Sequence, residues 1–178
     1  MIRLFAALSV PEEIGAALQT RQTGIEGARW RPLAALHVTL RFFGELREDV
    51  ARDLDAELMA VRGRPFEVVL QGAGCFSDND GPEAVWAGVA ESQSLARLAE
   101  ACETAARRAG LAPDRRRYRP HVTLAYLRRA DPAQVAAWIQ ANNLLKSPPI
   151  RIESFGLYSS VLTKEGSVYE LEAEYGLT

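Results

Sequence analysis

His37-Val38-Thr39-Leu40-Arg41-Phe42-Phe43-Gly44 and His121-Val122-Thr123-Leu124-Ala125-Tyr126-Leu127 are the stretches on which the reading of this chain turns. They hold its only two histidines, and the same three residues follow each one. From the chain's own composition, Val-Thr-Leu should follow a given histidine only about once in 3000 times. The match therefore marks an internal repeat, one copy per half. Both stretches are rich in β-branched and aromatic residues, so they predict strands. Side chains on a strand alternate faces with period two. His37 and Thr39 then share one face, with Val38 and Leu40 on the other, and the second copy divides in the same way. The apolar pair is expected to anchor each strand in a core, leaving the polar pair to face a cleft.

Two imidazoles and two hydroxyls facing each other suit phosphoryl chemistry. Histidine titrates near neutrality, so one ring can act as base while the other acts as acid. Threonine hydroxyls can hydrogen-bond non-bridging phosphate oxygens. A metal site is not expected, because two histidines with no Cys or Glu at metal spacing fall short of the usual three or four ligands.

Outward from the repeat, Arg3 to Leu8 predict a first strand, and Pro11 starts a helix with Glu12 and Glu13 at its positive end. Asp49 to Val61 predict a second helix. The first motif strand is expected to stop at Gly44, and the Gly-, Asn- and Asp-rich segment from Gly72 to Pro82 to be a loop. Leu95 to Ala109, closed by Gly110, and Pro132 to Asn142 are the remaining helices. Ile150 to Ser159 and Val168 to Glu174 predict a closing hairpin. The order indicates an α+β protein with helices laid against antiparallel sheet. No Gly-rich phosphate loop follows a strand, and no linker divides residues 1–178, so one two-lobed domain is expected.

The bulk numbers agree. A chain of 178 residues with 48% hydrophobic content can bury one sizeable core. Its net charge of −2 excludes a general polyanion binder, so local arginines must do any phosphate work. Cys75 and Cys102 show no redox or metal spacing and are expected to be buried thiols of a cytoplasmic protein. No apolar run approaches the roughly 18 residues a membrane span needs, and the N-terminus lacks the flanks of a signal peptide.

With these motifs in view, the chain resembles the two-histidine phosphoesterase superfamily. It looks most like the RNA 2′,3′-cyclic phosphodiesterase branch, also known by the name 2′-5′ RNA ligase. The likeness runs through RLFAALSVPEEI, RWRPLAALHVTLRFFGEL, AVWAGV, RRYRPHVTLAYL and ESFGLYSSVLTKEGSVYELEAEY. It implies a bilobal fold of two pseudo-symmetric antiparallel sheets with outer helices around a central cleft. It also implies that His37 is the proton donor and His121 the proton acceptor, with Thr39 and Thr123 holding the phosphate. The implied reaction is hydrolysis of a terminal 2′,3′-cyclic phosphate to a 2′-phosphate; RNA ends or small cyclic nucleotides are the expected substrates, and a monomer without a cofactor is expected. Alternatives are a 2′-5′ ligase, a hydrolase of another small cyclic phosphate, and a non-catalytic RNA- or nucleotide-binding module.

One departure stands out. Related sequences often carry arginine two residues after the second Thr-Leu, where this chain has Tyr126. Arg41, at i+4 from His37, is expected on the cleft face as a substitute. Arg119 precedes the second motif within Arg115-Arg116-Arg117-Tyr118-Arg119, the expected basic lip for RNA phosphates. Phe43 alternates onto the His37 face and is the expected base-stacking ring among the aromatic residues Trp30, Phe76, Trp86 and Tyr158.

Overall fold

A computed structural model describes all residues, 1–178. Ten strands and four helices follow one another along the chain. They are β1 (Ile2–Ser9), α1 (Glu12–Gln19), β2 (Arg29–Trp30), β3 (His37–Leu46), α2 (Glu48–Met59), β4 (Phe66–Val68) and β5 (Leu70–Asp78), then β6 (Gly81–Val89), α3 (Gln93–Arg108), β7 (His121–Tyr126), α4 (Pro132–Asn142), β8 (Ile150–Ile152), β9 (Ser154–Thr163) and β10 (Gly166–Gly176). A single 3₁₀ turn, Leu33–Ala35, leads into β3.

Two four-stranded antiparallel sheets carry the architecture, in the orders β10-β9-β1-β3 and β2-β7-β6-β5, and β4 pairs with β8 beside them. Each large sheet holds one copy of the motif, in β3 and in β7. Helices α2 and α3 pack against the first sheet, and α4 packs against β5 and β6 of the second. The expected α+β, bilobal arrangement is the one observed. No helix is long and apolar enough to cross a membrane.

Local chemistry explains the helix ends. The Ser92 hydroxyl accepts from Leu95 N at 3.2 Å to cap α3, and Arg107 and Arg108 sit in its last turn against the negative end of the dipole. Asp131 caps α4 through Ala133 N at 2.9 Å, with Pro132 at the first helical position.

The core is one continuous apolar cluster reaching from β3 through β1 to β6 and β7. Val38, Leu40, Val122 and Leu124, the apolar half of each motif, are all within it and are at most 4% exposed. Burying each contributes on the order of 1.5–3 kcal/mol. That burial holds each strand's polar face outward, toward the other sheet.

Two expectations are corrected. The segment from Gly72 is not a loop: β5 runs through it to Asp78 and turns tightly into β6. Gly74 serves the strand pairing. A β-carbon at Gly74 would lie 2.5 Å from the Trp86 ring, so glycine there makes room for the indole on the neighbouring strand. Likewise β3 does not stop at Gly44 but continues to Leu46, with Gly44 at φ +82° beside an irregularity in its pairing with β1. That pairing shifts twice, skipping Leu40 and Phe43. Such bulges reset which face a side chain occupies.

Candidate active site

Between the sheets lies a cleft of about 440 Å³. His37 and Thr39 line it from β3, and His121 and Thr123 from β7. The two copies of the motif therefore meet, with the face alternation their sequence predicts. Neither threonine hydroxyl hydrogen-bonds within the protein. The Thr39 carbonyl, by contrast, accepts from Tyr118 Oη at 2.9 Å, so its backbone is pinned while its hydroxyl stays free.

The two histidines occupy different surroundings. His121 lies with its ring edge-on to Phe76, centroids 4.8 Å apart, and tilted to Trp86 at 6.0 Å. Its Nδ1 is 2.6 Å from the Arg119 carbonyl oxygen. A carbonyl only accepts, so Nδ1 carries the hydrogen, and in the neutral ring Nε2 is left as the acceptor. Burial lowers the pKa of His121; the Arg119 carbonyl opposes that shift and the Arg119 charge adds to it.

His37 sits deeper, 4.9 Å from the Phe5 ring and edge-on to Tyr169 at 5.2 Å. Burial pushes its pKa down to about 4, against an opposing interaction with the Ala35 backbone, and the charges of Arg31 and His121 push the same way as burial. Without a bound anion, both rings are neutral at pH 7, His37 the more firmly.

Arg31, Phe42, Tyr126 and Tyr169 complete much of the lining. None was predicted as a binding residue. Arg31 follows β2, whose pairing sets Arg29 opposite Tyr126 and Trp30 opposite Ala125, and its own N–H donates to the Leu124 carbonyl at 2.8 Å. This long-range pairing with the second motif brings Arg31 into the cleft. Tyr169 arrives from β10, at the far end of the chain.

Two predicted residues do not line this cleft: Arg41 lines an adjoining space that shares Thr39 and His121 with it, and Phe43 is in the core. Arg41 does not present its guanidinium to the cleft: Nε pairs with Glu103 at 2.5 Å, Nη2 donates to the Ala112 carbonyl at 2.9 Å, and Nη1 to the Phe42 carbonyl. Its side chain is 11% exposed and serves to tie β3 to α3. Phe43 is 7% exposed and belongs to the core, whereas Phe42 is 51% exposed and lines the cleft. The β3 bulges exchange the two positions. Arg119 lines the adjoining space with His121 and Thr39, its guanidinium 5.2 Å above the Phe76 ring and 6.0 Å from Trp86. In the basic lip, Arg116 is engaged by Asp114 at 2.9 Å, which holds that carboxyl down at about 2. Arg115 and Arg117 are exposed. No group of three or more His, Cys, Asp or Glu side chains is placed to hold a metal. Cys102 is buried, its thiol pushed up to about 12 by that burial, and Cys75 is only partly buried.

The profile of the 2′-5′ RNA ligase superfamily matches residues 10–162. A protein of Thermus thermophilus named RNA 2′,3′-cyclic phosphodiesterase is 34% identical over 196 aligned positions, covering 99% of this chain and 90% of its own. One of the same name from Archaeoglobus fulgidus is 28% identical over 172 positions, covering 95% and 97%. Among solved structures, one from Thermus thermophilus superposes with a TM-score of 0.78 at 29% identity, covering 98% of this chain and 97% of that one. E. coli LigT complexed with 3′-AMP superposes with a TM-score of 0.79 at 26% identity, covering 99% and 98%.

Proposed function

The chain belongs to the 2′-5′ RNA ligase superfamily, and we propose that residues 1–178 act as one two-lobed phosphoesterase domain that hydrolyses a terminal 2′,3′-cyclic phosphate on RNA to a 2′-phosphate. One observation carries this reading: two histidines and two uncommitted threonine hydroxyls, contributed by duplicated strands, line a single cleft. The relatives' names point to the same substrate class.

In the proposed reaction His121 Nε2 takes a proton from water, and the resulting hydroxide attacks phosphorus. The P–O3′ bond breaks, and His37 gives its proton to the leaving 3′ oxygen. Thr39 and Thr123 hold the non-bridging oxygens. The fixed Nδ1–H tautomer of His121 supports its role as acceptor. His37 is neutral in the free protein, so it must gain its proton when the anionic phosphate enters. That anion offsets the burial and the positive neighbours that depress the ring. Both proton-transfer groups come from one chain, so a monomer suffices, and the cytoplasm is the compartment that fits its free thiols.

The test is product analysis after incubation with a 2′,3′-cyclic nucleotide and with RNA bearing that end, in the presence of EDTA. A 2′-phosphate product formed at an undiminished rate is expected. Joined RNA would indicate the ligase, and loss of turnover on chelation, restored by zinc or magnesium, would overturn the two-histidine mechanism.

A further inference from the structure

Arg31 is 8% exposed and lines the cleft beside His37. A guanidinium carries five N–H donors. One is used at 3.0 Å by the Tyr169 hydroxyl, and no carboxylate lies within ion-pair distance. Arg41, Arg47 and Arg116, by contrast, are each paired with a carboxylate. Arg31 is instead wedged between two rings, 5.3 Å from the Tyr126 centroid and 5.5 Å from that of Tyr169. No Arg31 nitrogen is both sealed from solvent and unpartnered, and the residue lines the cleft, where its spare donors can meet a ligand. Glu83 also lines the cleft but makes no ion pair with Arg31, and holding a cation at this depth without a paired counter-charge opposes folding. A ligand anion between the histidines would supply the missing charge.

We propose that Arg31 is the phosphate-binding cation of this site: its guanidinium, clamped by Tyr126 and Tyr169, grips the non-bridging oxygens of the anion held between His37 and His121. This rests on the phosphoesterase reading for the identity of the substrate, but the binding of a phosphate group stands on the cleft alone. Arg41, the arginine that spacing alone would choose, is committed to Glu103 and cannot do this work. The stacked Tyr126 also explains how the chain dispenses with an arginine at that position. Side chains at 31 and 126 reach the same space from paired strands, so one guanidinium is enough.

The experiment measures three quantities on the intact protein: the Kd of inorganic phosphate by calorimetry, kcat/KM on a 2′,3′-cyclic nucleotide, and the melting temperature. It compares the parent with Arg31→Met, Arg31→Lys and the double variant Arg31→Met/Tyr126→Arg. Arg31→Met should weaken phosphate binding by about 10- to 100-fold, the scale of charge-assisted hydrogen bonds, and lower kcat/KM at least as much. Its melting temperature should hold or rise, because an unpaired buried charge is gone. Arg31→Lys, keeping the charge without the fork, should fall between. The double variant should recover phosphate binding, since a guanidinium returns from the neighbouring strand. Parent-like phosphate binding by Arg31→Met and Arg31→Lys would overturn the proposal, as would a parent that does not bind phosphate. Should the parent bind phosphate through Arg31 yet leave the cyclic nucleotide intact, the reaction assignment would fail and the phosphate site would stand.

Discussion

The same four residues, His-Val-Thr-Leu, occur in β3 and in β7, yet the two histidines they present are not equivalent. Val38 and Leu40 anchor one strand as Val122 and Leu124 anchor the other. The difference lies in what touches each ring. Each ring interacts with a backbone group, Arg119 for His121 and Ala35 for His37, but His121 sits nearer solvent, whereas His37 is enclosed by Phe5 and Tyr169 with Arg31 beside it. A duplicated strand thus supplies two identical groups, and unduplicated neighbours make them different acids. In the free protein His37 is the harder ring to protonate, so its part as donor depends on the anion that enters beside it.

The largest expected effect follows from dividing the labour between the two rings. His37→Gln and His121→Gln should each lower kcat by roughly 10²–10⁴-fold, because each ring moves a different proton and neither can replace the other. Turnover on a 2′,3′-cyclic substrate and thermal melting, measured on both variants, check this together. A variant that melts well below the parent but turns over at a near-parental rate would show a packing histidine instead.

Next in size are the hydroxyls, where the two copies should behave alike. Thr39→Val and Thr123→Val keep the β-branched shape that suits a strand and each remove one donor. Each should cost on the order of 1.5–3 kcal/mol of transition-state binding, read as a fall in kcat/KM. Melting temperatures should hold, since neither hydroxyl bonds to the protein. A large effect at one threonine and none at the other would break the symmetry of the phosphate cradle.

The smallest effect concerns stability and separates the halves again. The pKa of His37 is lower in the folded chain, about 4, than its ordinary 6.5. As pH falls, the unfolded chain takes up that proton first. Stability from neutral His37 is therefore complete above pH 6.5 and lost as pH drops toward 4. Between about pH 7.5 and pH 5 the loss is on the order of 2 kcal/mol. Denaturant midpoints at those two pH values should show His37→Gln losing less stability than the parent, and His121→Gln showing the smaller difference. An identical loss in His37→Gln and the parent would place His37 in an ordinary, solvated setting.

The repeat made the α+β class, the two motif strands and the meeting of His37, Thr39, His121 and Thr123 legible from residue order, because period-two alternation fixes faces over four residues. Alternation failed past Leu40, where the bulges in β3 moved Phe42 to the cleft and Phe43 to the core. A bulge depends on the partner strand β1 and leaves no mark in a run of Arg-Phe-Phe-Gly. Arg31 was hidden for a similar reason: its place depends on a two-residue pairing of β2 with β7, some ninety positions away. Gly74 of β5 reads as a loop residue because the ring it accommodates, Trp86, belongs to the next strand.

Because the chain has only two histidines, an NMR titration of their ring protons, run with and without inorganic phosphate, addresses the paired cleft most directly. In the free protein His37 should titrate near pH 4 and His121 less far below 6.5. Saturating phosphate should raise both values together, because the anion sits between the two rings and favours their charged forms. Two rings titrating near 6.5, or a phosphate shift confined to one of them, would contradict the claim that the two copies of the motif form one acid–base pair.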